Sequence, residues 1–289
     1  MQKIIVVCGP TATGKSDYAV TLAKRVNGEI ISADSRQVYR GLDIGSGKIT
    51  AREMKGIPHH LLDVADPKRT FSVAQFQKKA ARAINEIVGR GHVPIICGGT
   101  GFYIDALIYN TDFPAVPPNK RLRKKLQKET PQALAHTLQS LDPDRFETID
   151  PHNKVRLIRA IEIATALGKV PKIKRLPRYD VTWHYLDFPD AVLKQRIHDR
   201  LMKRIKQGMV IEVLKLHHPP VGGGLSWKRL ESLGLEYRFI ARYLQNNLSK
   251  HDTLTQLETA IWRYAKRQRT WFKKYASQIK ISLPDTPQK

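Results

Sequence analysis

A near-continuous apolar run, Ile4-Ile5-Val6-Val7-Cys8, leads without a break into Gly9-Pro10-Thr11-Ala12-Thr13-Gly14-Lys15-Ser16. The second string matches G-x-x-x-x-G-K-[ST], the phosphate loop. Its setting gives the match physical meaning. The apolar run reads as a parallel strand covered on both faces. From Ser16 to Val26, residues Tyr18, Ala19, Leu22, Ala23 and Val26 recur at helical spacing, and Asn27-Gly28 supplies a stop. Glycine permits the tight turn, successive backbone N–H groups form an anion-binding nest, and the helix N-terminus adds partial positive charge. Lys15 is then expected to reach outer phosphate oxygens and the Ser16 hydroxyl to hold Mg²⁺. Such a loop fixes only what is held, a di- or triphosphate. It leaves open whether a phosphoryl group moves.

The strand–helix alternation continues. Glu29 to Ala33 reads as a second strand, Phe71 to Val88 as a helix with one apolar stripe, and Val93 to Cys97 as a third strand closed by Gly98-Gly99. This order predicts an α/β fold, a doubly wound parallel sheet of the P-loop NTPase-like kind. After Pro114, Pro117 and Pro118 the composition shifts. Residues 119–179 hold 15 Lys+Arg against 6 Asp+Glu, with helical stretches such as Asn153 to Leu167 and no convincing strand. Strand pattern returns at Val181 to Asp187. We therefore expect a core in two parts, residues 1–115 and 181–289, interrupted by a mostly helical insertion over 116–180. Asp190 to His217 and Asp252 to Tyr275 read as helical, Pro219 to Gly224 as a break between helices, and the tail after Ser282 as frayed.

The charge balance narrows the partners. Fifty Lys+Arg against 26 Asp+Glu give a net charge of +24 in 289 residues. Such an excess predicts attraction to a polyanion. Six of the positive charges, Arg263, Lys266, Arg267, Arg269, Lys273 and Lys274, fall in twelve residues interleaved with Trp262, Tyr264, Trp271 and Phe272. Two cysteines make no disulfide framework and point to a reducing cytoplasm. No apolar run approaches the roughly 20 residues of a membrane span, and the opening run is too short for a signal peptide. No membrane partner is expected.

In open α/β sheets ligands sit beyond the carboxyl ends of the strands. The second strand ends at Asp34-Ser35-Arg36-Gln37-Val38-Tyr39, which places Asp34 near the phosphate loop, either as a base on an acceptor or as a cap of the following turn. Ser35 and Gln37 are placed to hydrogen-bond a base or sugar. The third strand ends at Gly98-Gly99-Thr100-Gly101, where three glycines leave room for a ligand to approach the backbone and Thr100 presents a hydroxyl beside Asp34. His59, His60 and Asp63 lack metal-ligand spacing. Cys8 and Cys97 end neighbouring strands and read as buried, reduced thiols.

At these residues the chain resembles the tRNA dimethylallyltransferases, also called tRNA isopentenyltransferases. The resemblance runs from Ile4 to about Tyr275 and rests on strings in the family's order. They are Gly9 to Ser16, Asp34 to Tyr39, Pro58-His59-His60-Leu61-Leu62-Asp63, Phe71 to Phe76, Gly98 to Tyr103, Asn153 to Glu162 and Arg263 to Phe272. It implies transfer of the five-carbon group of dimethylallyl diphosphate to the exocyclic amine of the adenosine 3′-adjacent to the anticodon. The loop Gly9, Pro10, Thr11, Ala12, Thr13, Gly14, Lys15, Ser16 then binds the diphosphate leaving group with Mg²⁺, and Asp34 is the base. Thr100 contacts the reacting adenosine, and Arg196 and Arg200 are candidates to clamp the diphosphate. Contacts to the tRNA anticodon stem-loop are implied at Asp34, Ser35, Arg36, Gln37, Thr100, Val155, Arg156, Arg159, Lys266 and Arg267. The partners are thus tRNA and dimethylallyl diphosphate, and a monomer is expected.

The chain departs from the family pattern in places. Where Asp-Ile-Gly-Thr-Ala-Lys-Pro is usual it has Asp43-Ile44-Gly45-Ser46-Gly47-Lys48-Ile49, which suggests a more mobile loop or a different ligand contact. Gly234-Leu235-Glu236-Tyr237 stands for Gly-Tyr-Lys-Glu. Val155 and Asp190 replace common basic or polar residues, and Met202 and Arg204 stand where aspartate and methionine are usual. A C-terminal zinc-binding extension of the eukaryotic kind does not follow, implying the bacterial type. The competing activities are prenyl transfer to free AMP or ADP, a nucleotide kinase whose loop holds ATP, and a phosphate-loop RNA-binding module without catalysis.

Overall fold

Alternate residues of the first strand point to opposite layers. Ile4, Val6 and Cys8 face one core and Val7 another, as a pleat covered on both sides requires. The structure is a computed structural model that describes residues 1–173 and 175–281, the last three by their backbone alone. Lys174 and the tail from Ser282 onward lie outside the described residues. The first half runs β1 (Gln2–Cys8), α1 (Lys15–Val26), β2 (Gly28–Ser32), α2 (Ala51–Met54), β3 (His59–His60), α3 (Val73–Gly89), β4 (Val93–Gly98) and α4 (Gly101–Ile108). Four helices follow: α5 (Lys120–Leu126), α6 (Pro131–Leu141), α7 (Pro143–Thr148) and α8 (Lys154–Leu167). The remainder is β5 (Tyr179–Tyr185), α9 (Asp190–Lys206), α10 (Met209–His217), α11 (Trp227–Leu233), α12 (Leu235–Leu244), α13 (Lys250–Phe272) and β6 (Ile279–Ile281).

The sheet order is β3-β2-β4-β1-β5-β6, and every pairing is parallel. Helix α1 covers one face through Ala19, Val20 and Ala23 against Val7, Ile30 and Ile95. Helices α3 and α4 cover the other through Phe76, Ala80, Ile84, Ile104 and Leu107, joined by Phe272 from the end of α13. The doubly wound parallel sheet expected from the alternation is therefore present. Sharp starts back it up: Ser72 caps α3 in a capping box with Gln75, so the helix begins two residues after Phe71.

Three features differ from the sequence reading. The two-residue strand β3 pairs with Ile30 and Ile31 at the sheet edge, too short to carry any alternation of its own. Strand β6 adds to β5 after the last helix. The stretch from Asp190 to His217 is two helices, because Gly208 sits in the left-handed region at φ 98° and turns the chain between them.

The chain divides into two compact units, Met1–Asn110 with Pro177–Lys289, and Thr111–Leu176. The smaller unit has its own apolar core of Leu126, Leu134, Leu138, Leu157, Ile158 and Ile161. Its buried Glu162 accepts a bidentate pair of hydrogen bonds from Arg123 at 2.7 and 2.6 Å and one from the Asn119 backbone at 2.8 Å. These bonds hold its carboxyl below the ordinary carboxylate range against the opposing effect of burial. In the larger unit, helices α9 to α13 pack a second core around Leu193, Ile197, Leu230, Tyr237, Leu257 and Ile261, against Val38 and Leu42. No helix among the described residues is long and apolar enough to cross a membrane.

Candidate active site

The loop between β1 and α1 is shaped by backbone that side chains tolerate poorly. Gly9 lies at φ 141°, and a Cβ there would overlap the Leu186 carbonyl that follows β5. Gly14 is left-handed at φ 81°, and Ala12 adopts φ 67° despite its Cβ. The Thr13 hydroxyl closes the turn by donating to the Pro10 carbonyl at 2.9 Å. Among the described residues, the amides of Ala12 and Gly14 donate to no protein group, and they lie at the N-terminus of α1. The Lys15 ammonium folds onto the loop, donating to the Pro10 carbonyl and, at 3.4 Å, to Thr13 Oγ1. Burial pushes the Lys15 amine down to about 8. The Ser16 hydroxyl has no hydrogen-bond partner among the described residues and lines the same cavity.

The next two strand ends are stitched together beside this loop. Thr100 N–H donates to the Ala33 carbonyl at 3.2 Å, and Thr100 Oγ1 accepts from Ser35 N–H at 3.1 Å. Asp34 Oδ1 caps the turn, accepting from the amides of Arg36 at 2.7 Å and Gln37 at 3.3 Å. Its second oxygen, Oδ2, has no hydrogen-bond partner among the described residues. Asp34 thus does what a turn cap does while lining the cavity. Gln37 is fixed by Ser32 at 2.9 Å and by the Gly47 carbonyl at 3.1 Å, and Arg36 by the carbonyls of Leu233 and Ser35. The glycines after β4 make room for protein rather than ligand. A Cβ at Gly98 would strike the Ala33 carbonyl, at Gly99 the Gln268 side chain, and at Gly101 the Trp271 ring.

Lys15, Ser16, Asp34, Gly99, Arg196 and Arg200 line one cavity of about 780 Å³. The arginines come from one face of α9, spaced four residues apart. Arg196 Nε donates to the Ala12 carbonyl at 2.8 Å, and Arg200 donates to Thr11 Oγ1. One turn further, Arg204 is 8% exposed, ion-paired with Glu236 at 3.0 Å and within 3.3 Å of the Gly45 carbonyl. The loop 43–48 forms another wall and is tied down rather than loose. Glu212 accepts from the amides of Asp43, Ile44 and Gly45 at 3.0, 2.6 and 3.0 Å and from the Tyr237 hydroxyl at 2.9 Å. Lys48 bridges Asp43 and Asp63 at 2.6 and 2.5 Å.

Helix α13 closes the site with residues whose roles the sequence did not disclose. Gln268 accepts from Thr11 N–H at 2.8 Å and donates to the Gly99 carbonyl at 2.9 Å. Tyr264, one turn earlier, lines the cavity, and burial next to the Asp34 charge pushes its hydroxyl up to about 12. The only advance sign of either was an uncharged polar or aromatic residue inside a basic run. Of the six clustered cations, Arg269 is taken by Asp187 and Asp190, and Lys274 by Asp105. Arg263, Lys266, Arg267 and Lys273 remain exposed without an acidic partner among the described residues. The interleaved aromatics are largely structural. Phe272 is buried and Trp271 lies over Gly101, while Trp262 is ringed by Lys194, Lys266 and Arg269 at 5.1, 5.8 and 5.7 Å from its centroid.

On the smaller unit, Val155 is 79% exposed and Arg156 is exposed, both on the first turn of α8. Arg159 is half-buried and bonded to the Val116 carbonyl at 2.8 Å and to Glu162 at 3.4 Å. No group of three or more His, Cys, Asp or Glu side chains able to hold a metal is present among the described residues.

Comparison with known proteins places this arrangement. A family profile described as IPP transferase matches residues 37–275. The tRNA dimethylallyltransferase 1 of Geotalea uraniireducens (strain Rf4) is 43% identical over 271 residues, 94% of this chain and 88% of the relative. The tRNA dimethylallyltransferase of Anoxybacillus flavithermus (strain DSM 21510 / WK1) is 41% identical over 277 residues, 94% of this chain and 88% of the relative. Among solved structures, the full-length tRNA isopentenylpyrophosphate transferase from Bacillus halodurans is similar at a TM-score of 0.71 and 37% identity, over 98% of this chain and 90% of that one. A eukaryotic dimethylallyltransferase acting on tRNA is similar at a TM-score of 0.80 and 25% identity, over 97% and 73% of the two chains. With similarity of this extent on both sequence and fold, the chain belongs to the tRNA dimethylallyltransferase (IPP transferase) family, bacterial type.

Proposed function

We propose that this enzyme moves the dimethylallyl group of dimethylallyl diphosphate onto the N6 amine of the adenosine 3′-adjacent to the anticodon in tRNA, releasing diphosphate. The observation that carries the proposal is one cavity lined by Ala12 and Gly14, whose amides are unpartnered among the described residues, by Lys15 and by Asp34. The P-loop NTPase-like reading of the fold enters here: the nest holds a diphosphate leaving group rather than ATP. Breaking the C1–O bond leaves its electron pair on the diphosphate. Charge grows on oxygens that the amides of Ala12 and Gly14, the Lys15 ammonium and the guanidinium groups of Arg196 and Arg200 are assigned to hold. The N6 lone pair forms the new bond to C1, and the proton that N6 sheds goes to Asp34 Oδ2. Thr100, fixed by Ser35 and Ala33, holds the adenosine beside that carboxylate.

The donor set fits Mg²⁺ bound mainly by phosphate oxygens and water. It offers one free hydroxyl, Ser16, and no acidic cage, which is how Mg²⁺ is usually held on substrate phosphates. When bound, the ion neutralises charge on the departing diphosphate.

An adenosine stacked in an anticodon loop cannot reach a strand-end carboxylate. It must be turned out of the stack, at about a few kcal/mol. Backbone contacts to the RNA supply that energy, and the exposed Lys266, Arg267 and Arg156, with Val155, Arg159 and the turn Ser35 to Gln37, are the residues assigned to them. Two free, buried cysteines suit a reducing cytoplasm. Mass analysis of nucleosides from tRNA incubated with enzyme and dimethylallyl diphosphate tests the activity. Modified adenosine next to the anticodon is expected. Transfer to AMP with tRNA untouched, or consumption of ATP, counts against it.

A further inference from the structure

Gln268 is 6% exposed and spends both ends of its amide on two loops far away in the chain. Oε1 takes the Thr11 N–H, immediately before the unpartnered Ala12 amide, and Nε2 donates to the Gly99 carbonyl, immediately before Thr100. Glycine at position 99 is what lets the amide in, since a Cβ there would overlap Nε2. One helical turn earlier, Tyr264 lines the same cavity. Beyond the β1–β4 pairing that ends at Cys8 and Gly98, one side chain therefore bonds both the donor loop and the acceptor loop.

We infer that Gln268 is a positioning residue that fixes the spacing between the diphosphate loop and the Asp34–Thr100 side of the site. The inference rests on the transfer reading above. Glutamine is the residue that serves both ends. Glutamate keeps the acceptor for Thr11 but lacks the N–H for Gly99 and sets a charge against its carbonyl. Methionine keeps the volume and offers neither bond. Transfer requires the attacking nitrogen and C1 held within about 3–3.5 Å in line, and a displacement of about 1 Å costs about a hundredfold in rate. Loss of the Gln268 bridge therefore acts on turnover rather than on affinity for RNA.

The test uses the full chain with tRNA and dimethylallyl diphosphate, comparing wild type, Gln268→Met and Gln268→Glu for kcat, for KM of each substrate and for thermal midpoint. We expect kcat to fall by at least about tenfold in both variants, KM for tRNA to stay within about threefold, and KM for the donor to rise more in Gln268→Glu. Wild-type turnover tests the transfer reading and the variant ratio tests this one, so the two can fail separately. The inference is overturned if either folded variant keeps kcat within about threefold of wild type, or if the loss lies in KM for tRNA alone. Failure of both variants to fold also overturns it, because the role is then structural.

Discussion

A Cβ at Gly47 would overlap Nη2 of Arg204, so the guanidinium occupies space that any other residue at 47 would fill. Both positions depart from the family pattern, which has alanine and methionine there, and Glu236, where the pattern has lysine, is the partner of that same arginine at 3.0 Å. The three departures are one physical unit: an arginine that needs a glycine to fit and a glutamate to neutralise it. Arg204→Met alone leaves Glu236 buried and unpaired, and should cost about 3–5 kcal/mol. Adding Glu236→Gln should recover most of that loss, and adding Gly47→Ala on top should cost only the strain of its left-handed backbone at φ 62°, about 1 kcal/mol. Gly47→Ala in the presence of Arg204 should destabilise. Chemical denaturation of the four variants checks the order, and additive, independent losses would contradict the coupling.

Lys15 sets an alkaline limit on donor capture. Its amine is pushed down to about 8 because burial disfavours the charged form. In the free enzyme the ammonium is present below that value and lost as pH rises through it. The kcat/KM for dimethylallyl diphosphate should therefore fall above about pH 8, and a bound diphosphate should move the corresponding limb of kcat to higher pH. The linkage to stability has the opposite sense. An unfolded lysine keeps its proton up to about 10.5, so the penalty for burying this charge is full below about 8 and shrinks between the two values. A pH–rate profile that keeps its alkaline limb in Lys15→Met would remove Lys15 from this role.

Binding to tRNA should be strongly salt-dependent. Each phosphate neutralised releases counterions, and the logarithm of the binding constant falls linearly with the logarithm of salt concentration. Replacing the exposed Lys266 and Arg267 together by alanine should lower that slope by about 1–2. Filter binding across a salt series reads it. A constant independent of salt would exclude these contacts.

The sequence made legible what is encoded locally. The loop Gly9 to Ser16 was readable because its glycines, lysine and flanking apolar run lie within thirteen residues, and four of the six strands followed from periodicity. Asp34 and Thr100 were reachable as strand-end residues. What stayed hidden depends on long-range contact. The Gln268–Thr11 bond joins positions 257 apart, and the Arg204–Gly45 contact spans 159. Neither leaves a local pattern. The glycines at 98, 99 and 101 were visible, but what they admit, the Ala33 carbonyl, Gln268 and Trp271, comes from elsewhere in the chain. The loop around Gly47 read as mobile for the same reason, because the Glu212 carboxylate that holds it lies more than 160 residues away.

The most direct measurement is a single-turnover comparison of wild type with Asp34→Asn, following modified adenosine in tRNA at saturating donor. Asparagine can still accept the Arg36 and Gln37 amides, so the turn survives while the proton acceptor is lost. The predicted result is a rate lower by about 10²–10⁴-fold, with the affinities for tRNA and donor little changed. Transfer at the wild-type rate by Asp34→Asn would contradict the account.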